Sequence, residues 1–273
     1  FKNLAVLNLA GSQVTDAGLR GLAPFKNLTT LHVSGDQLTD TSMRELREIG
    51  LLHALAGAKT GKITDFTRPR PRSLDEVDEL DLTSANITAA ALKEVARMKN
   101  LRSLTLTDNR LGDGALKELV GLKKLTYLGL SGTDITDVGM KDLSQFEQLS
   151  WLSLHSTGVT ARGLRELAGV KKLEALFIDT KQIDDARFRV LCELGLLHTL
   201  DLAHAYQQWP KSDADIIRLD LGATQVTDAA LKDVARLHGL ENLHLGPRQT
   251  GVGLKALAPL KKLSSLSVHN TSD

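Results

Sequence analysis

One short pattern, Leu-x-x-Leu-x-Leu with Val or Ile admitted at its first or last place, recurs along the whole chain. Copies begin at Leu4, Leu28, Leu101, Leu125, Leu149, Leu173 and Leu197, with further ones at Val77, Ile216, Leu240 and Leu263 and a degenerate one at Leu52. The step is 24 residues from Leu4 through Leu28 to Leu52, and again from Leu101 through to Leu197. A fixed period of this length constrains the fold more than any other feature. A unit this short cannot bury its apolar stripe alone, so neighbouring units must stack and share one core.

Each copy reads as two halves. In Leu125-Thr126-Tyr127-Leu128-Gly129-Leu130 apolar residues alternate with small or polar ones, the period of a half-buried strand. Ser131-Gly132-Thr133-Asp134-Ile135 follows as a turn with one aliphatic to bury. Thr136-Asp137 then offers a helix N-cap, where side-chain oxygens accept from unpaired backbone N–H groups. Met140, Leu143 and Phe146 recur every third residue, one face of a short helix. Lys123-Lys124, Lys171-Lys172 and Lys261-Lys262 follow such helices, where positive charge suits the negative end of the dipole. Strand, turn, helix and next strand make a right-handed crossover repeated along one axis. The expected architecture is an α/β solenoid with a parallel sheet on its concave side and short helices on its convex side. Twelve copies place residues 1–273 in one domain, with irregular copies at 52–76 and 197–215. Starting at Phe1 and stopping at Asp273 inside repeats, the sequence reads as a piece of a longer chain.

These residues resemble the leucine-rich-repeat family. The segments Thr15-Asp16-Ala17-Gly18-Leu19 and Thr136-Asp137-Val138-Gly139-Met140 are similar to a bacterial subtype with a Thr-Asp-x-Gly-Leu signature. The position that often carries Asn in such repeats is Asn109 in one copy and Thr133, Thr157, Thr224 or Thr271 in others. The resemblance implies a solenoid that binds proteins, peptides, glycans or lipids, and it brings no shared catalytic residues.

Composition narrows the function classes. The net charge is +1, whereas a nucleic-acid-binding domain usually carries a basic excess. No apolar run reaches the roughly 18 residues a membrane-spanning helix needs. The one cysteine, Cys192, cannot form an internal disulfide and reads as a small buried or half-buried thiol; the compartment stays open between the cytoplasm and a bacterial exterior. No Gly-x-Ser-x-Gly elbow, phosphate loop or His-Glu-x-x-His motif occurs, and no cofactor is expected.

The two breaks are related. Ile49-Gly50-Leu51-Leu52-His53-Ala54-Leu55 parallels Leu194-Gly195-Leu196-Leu197-His198-Thr199-Leu200, a duplication spaced by about 145 residues. Gly57 to Ser73 carries Lys59, Lys62, Arg68, Arg70 and Arg72 with Pro69 and Pro71. It reads either as a solvated insertion or as a basic docking loop for an acidic partner. Ala203 to Asp215 carries Tyr206, Trp209 and Pro210; its aromatics either pack back on the repeats or serve as anchors.

The remaining candidates lie between the buried leucines, where strand alternation turns side chains out of the concave sheet. Tyr127 and Trp151 share one register, Phe177 sits two residues further along its strand, and His155 and Asp179 lie near the strand ends. The chain is only 4% aromatic, so aromatics in three successive copies point to a partner-binding patch. Further on lie His198, Asp201, Asp220 and His244, with the last three expected at one register. Carboxylates and imidazoles so placed could hold a metal or serve as acid and base, although a solvated polar surface explains them as well. The function expected is therefore a non-catalytic module that binds a protein or peptide. The alternatives are a structural segment that self-associates through uncapped ends and a substrate-recruiting module of a larger enzyme.

Overall fold

The computed structural model describes residues 3–60, 69–205 and 209–268. They divide into two compact units, Phe1–Gly158 with Gly169–Lys172, and Val159–Ala168 with Leu173–Asp273. Each is built from the same elements and is taken by itself.

The first unit contains strands β1 (Val6–Asn8), β2 (Thr30–His32), β3 (Ala58–Lys59), β4 (Glu79–Asp81), β5 (Ser103–Thr105), β6 (Tyr127–Gly129) and β7 (Trp151–Ser153). Each regular strand begins two residues after the start of its copy. β1 and β2 pair in parallel. β4 to β7 form a parallel ladder in which Leu80, Leu104, Leu128 and Leu152 face one another across the strands. All four are 0% exposed, so the 24-residue step sets the register by stacking the same buried leucine on itself. The second unit contains β8 (Ala175–Phe177), β9 (Ala203–His204), β10 (Arg218–Asp220), β11 (Asn242–Leu245) and β12 (Ser265–Val268), with β10 to β12 parallel.

Short helices return the chain behind the sheet: α1 (Asp16–Leu19), α2 (Asp40–Glu48), α3 (Ala89–Val95) and α4 (Ala115–Leu119) in the first unit. The second unit has α5 (Ala161–Leu164), α6 (Asp185–Leu194), α7 (Leu231–Val234) and α8 (Gly251–Leu254). Met140, Leu143 and Phe146 are fully buried on a 3-10 helix, Gly139–Gln145, rather than an α-helix. Their spacing of three matches its three residues per turn. The threonines that open helices act as caps: Thr88 accepts from Ala90 N–H, Thr160 from Arg162 N–H and Thr250 from Val252 N–H. Asn109 donates through Nδ2 to the carbonyls of Leu82, Leu106 and Thr107. Thr133, Thr157 and Thr224 each donate to the carbonyl three residues back. Thr271 lies outside the described residues.

The two irregular copies fold alike. Each follows the longest helix of its unit, α2 or α6, at a glycine in the left-handed region: Gly50 with φ of 77° and Gly195 with φ of 65°. Leu51 N–H then bonds Leu46 O and Leu196 N–H bonds Leu191 O, closing the helix with a Schellman turn that only glycine enters without strain. Leu52 and Leu197, expected to open strands, sit instead in 3-10 turns, Leu52–Ala54 and Leu197–Thr199. The strands that follow, β3 and β9, run antiparallel to β4 and β10. No α-helix forms among the described residues of either break, so the α-helices close up across it. Asp40 of α2 bonds Thr88, which caps α3, and Asp185 of α6 bonds Thr227 ahead of α7.

Candidate functional site

The parallel register arranges the outward positions of the first unit in rows. One row is Glu79, Ser103, Tyr127 and Trp151; the next is Asp81, Thr105, Gly129 and Ser153. Tyr127 and Trp151 are therefore direct cross-strand neighbours, about 4.8 Å apart along the sheet. Trp151 is 44% exposed while the leucines on either side of it in the chain are buried. Tyr127 is half-buried, and its ring lies over Gly129: a Cβ there would stand 3.4 Å from both Cε1 and the hydroxyl. Burial pushes the Tyr127 hydroxyl above its ordinary pKa, and the Asp81 carboxylate adds to the shift. Beyond these rows Ser131 and Ser153 share a hydrogen bond of 2.7 Å. His155 is half-buried, and its carbonyl accepts from Gly132 N–H.

The Asp81 carboxylate uses Oδ1 to accept from Thr83 N–H at 2.9 Å and from its hydroxyl at 2.7 Å. Glu79 is paired with Lys59, reached across the antiparallel β3–β4 pair. Beside Asp81 the sheet opens into a notch of about 210 Å³, lined by Leu31, Val33, Leu55, Leu82, Thr83 and Asp81 among others. The notch exists because the irregular copy enters the sheet only as far as Gly57 and then turns back. At that turn a Cβ on Gly57 would lie 2.1 Å from Asp81 O. The neighbouring turn is equally close, with Gly35 O accepting from Asn86 N–H at 3.0 Å. Neither Asp81 nor the notch stood out in the sequence, where the only trace of them was the break in the repeat.

The basic loop divides. Arg68 and Lys62 lie outside the described residues. Arg70 is exposed, but its guanidinium donates to the carbonyls of Ala56 at 2.9 Å and Ala58 at 3.3 Å, tying the loop to the start of β3. Arg72 is exposed, and its N–H is held by the Glu76 carboxylate.

In the second unit Phe177 closes β8 half-buried, and Asp179 is a half-buried residue ahead of a 3-10 turn, its carbonyl accepting from Gln182 N–H. Asp220 and His244 do share a register, and Ser267 Oγ lies 3.0 Å from His244 Nδ1. Asp201 does not join them. Because β9 runs antiparallel, Asp220 N–H bonds Leu202 O, and exposed Asp201 lies off the ladder. His198 turns to Asp213, with Nδ1 3.0 Å from its carboxylate. Among the described residues no group of three or more His, Cys, Asp and Glu side chains is placed to hold a metal ion. Trp209 is 61% exposed, with its ring 6.2 Å from that of His204 at a 42° tilt. Tyr206 lies outside the described residues.

A stacked parallel strand, an inward Asn or Thr that binds turn carbonyls, and a short capped helix define a repeat protein of the leucine-rich type. Residues 75–135 match the family model described as Leucine rich repeat, and residues 2–23 match a second one of the same description. Those two segments are leucine-rich repeats, and the same strand-turn-helix unit recurs in the other regular copies. No curated protein sequence matches it. Among solved structures it is similar to an internalin from Listeria monocytogenes, with 19% identity and a TM-score of 0.48 over 99% of this chain and 82% of that one. Internalin C2 of the same organism gives 18% identity and a TM-score of 0.39 over 97% and 80% of the two chains. The ectodomain of the Arabidopsis receptor kinase HAESA, in complex with a peptide hormone, gives 20% and 0.43 over 71% of this chain and 34% of that one.

Proposed function

We propose that the first unit is a non-catalytic recognition module that holds a protein or peptide segment against the open face of β4 to β7. The observation that carries this reading is the in-register pair of Tyr127 and Trp151, with Trp151 44% exposed on a sheet whose other face is sealed by leucines. Large amphipathic rings on a rigid strand platform bury much area at little entropic cost, which is why Trp and Tyr dominate interface energetics. His155 borders the same face and is assigned to it. Phe177, Asp179 and Asp201 belong to the second unit and form a separate candidate surface, as do Trp209 and His204 in that unit.

Panning a random dodecapeptide display library on the chain tests the reading. Peptides that bind the parent and lose binding to Trp151→Ala support it. If every selected peptide binds Trp151→Ala and Tyr127→Ala as well as the parent, the face of β4 to β7 is not the site.

No helix among the described residues is long and apolar enough to cross a membrane.

A further inference from the structure

We propose that the notch beside Asp81 is a socket for one basic side chain, lysine or arginine, of the segment bound on this face. The inference rests on the reading above and names the chemistry of the partner. Three observations lead to it.

The first is shape. The notch holds about 210 Å³ and opens where the irregular copy reverses direction at Gly57. It is lined by half-buried Val33 and by the buried residues Leu31, Leu55 and Leu82. Apolar walls of that size suit the methylene stem of a long side chain, which buries its carbons and keeps its charged head at a polar rim.

The second is charge. Asp81 lines the notch and commits Oδ1 to Thr83, and no hydrogen bond to Oδ2 forms among the described residues. Of the eight outward positions on β4 to β7, the only charged ones are Glu79 and Asp81, both acidic. Glu79 already holds Lys59. Among these eight positions none carries a cation and Asp81 is the one carboxylate with no ion pair among the described residues, while Lys59 and Arg70 beside them are held by Glu79 and by the Ala56 and Ala58 carbonyls. An acidic segment would meet repulsion at Asp81, and a neutral one would leave the carboxylate desolvated without a partner.

The third is placement. Asp81 lies on the row next to Tyr127 and Trp151, and its field reaches the Tyr127 phenol. An extended segment laid across the strands would meet the aromatic pair and the socket in turn. The Tyr127 and Trp151 ring faces also attract cations, so a second basic residue would find a seat there.

The peptides selected by panning on the full chain are the probes. They are expected to carry Lys or Arg at one fixed position, and changing that residue to norleucine should weaken binding about tenfold or more. Asp81→Asn should weaken the same peptides by a similar factor, since the amide oxygen still accepts from Thr83 and the turn is kept. Val33→Phe fills the notch without touching the charge and should weaken them too. Both variants are checked for a parent-like thermal midpoint, and a peptide that binds parent and both variants equally overturns the socket. Peptides that need Trp151 but carry no basic residue overturn the socket and leave the recognition reading standing. A library that gives no Trp151-dependent peptide overturns both.

Discussion

Asp113 takes two hydrogen bonds from Thr136 in the next repeat and a third from Gly139. The Asp113 carboxylate accepts from Thr136 N–H at 2.7 Å, from the Thr136 hydroxyl at 2.8 Å and from Gly139 N–H at 3.0 Å. The hydroxyl bond recurs from Thr39 to Asp16, Thr88 to Asp40, Thr227 to Asp185 and Thr250 to Asp228. This explains the Thr-Asp-x-Gly signature. The Thr136 and Thr250 hydroxyls each accept at the start of their own helix and donate to the aspartate of the preceding copy, Asp113 and Asp228. The glycine keeps the path open, because a Cβ on Gly139 would lie 2.9 Å from the Asp113 carboxylate and one on Gly253 would lie 2.1 Å from that of Asp228.

Removing one such tie should destabilise its unit without touching the sheet face. Thr136→Val deletes the hydroxyl donor and keeps the volume. It should lower stability by about 1–2 kcal/mol, read from the urea midpoint. Parent-like stability would show that the tie contributes nothing net.

The ties also set an acid limit. Burial pushes the Asp113 carboxyl up, but the bonds from Thr136 and Gly139 outweigh it and leave the group below its ordinary value. Asp228 is lowered as well, first by the Thr250 hydroxyl. A carboxylate lowered by folding adds stability above its unfolded pKa of about 3.9 and loses it as pH falls through the folded value. The stability gap between parent and Asp113→Asn should therefore be widest near neutrality and narrow below about pH 4, in urea titrations from pH 7 to pH 2. A gap independent of pH would contradict the assignment.

On the open face, Trp151→Ala should leave the thermal midpoint near the parent's, because the side chain is half in solvent. It should weaken the selected peptides at least about tenfold, the scale of a central aromatic anchor. Calorimetric titration reads both the affinity and the stoichiometry.

Gly57→Ala tests the turn that shapes the notch. The added methyl would press on Asp81 O, a backbone atom that cannot swing aside. A loss of about 1–3 kcal/mol is expected from overpacking, together with weaker peptide binding. Undiminished stability would mean the irregular copy yields there.

Cys192 should react slowly in the native chain. Burial, then the carboxylate of Asp233, pushes its thiol well above the ordinary range, so little thiolate exists at neutral pH. Thiol labelling at pH 8 should be at least about tenfold faster in denaturant than in buffer.

What the sequence determined by itself was everything that depends on the period. A step of 24 residues stacks Leu104 on Leu128 on Leu152, and strand alternation then puts Tyr127 beside Trp151. Cap, turn and buried-leucine positions follow because they are local or repeat with that step. Where the step fails, local pattern loses its hold. Leu52 and Leu197 carry strand-like leucines yet lie in 3-10 turns, because the glycine turn after a longer helix re-aims the chain before a strand can form. Only the tertiary structure decided that β3 and β9 run antiparallel, which moved Asp201 off the register of Asp220 and opened the sheet beside Asp81. Asp40 reaching Thr88, 48 residues on, is the same lesson on the helix side. Such contacts join segments that share no period, so their geometry is set by packing alone.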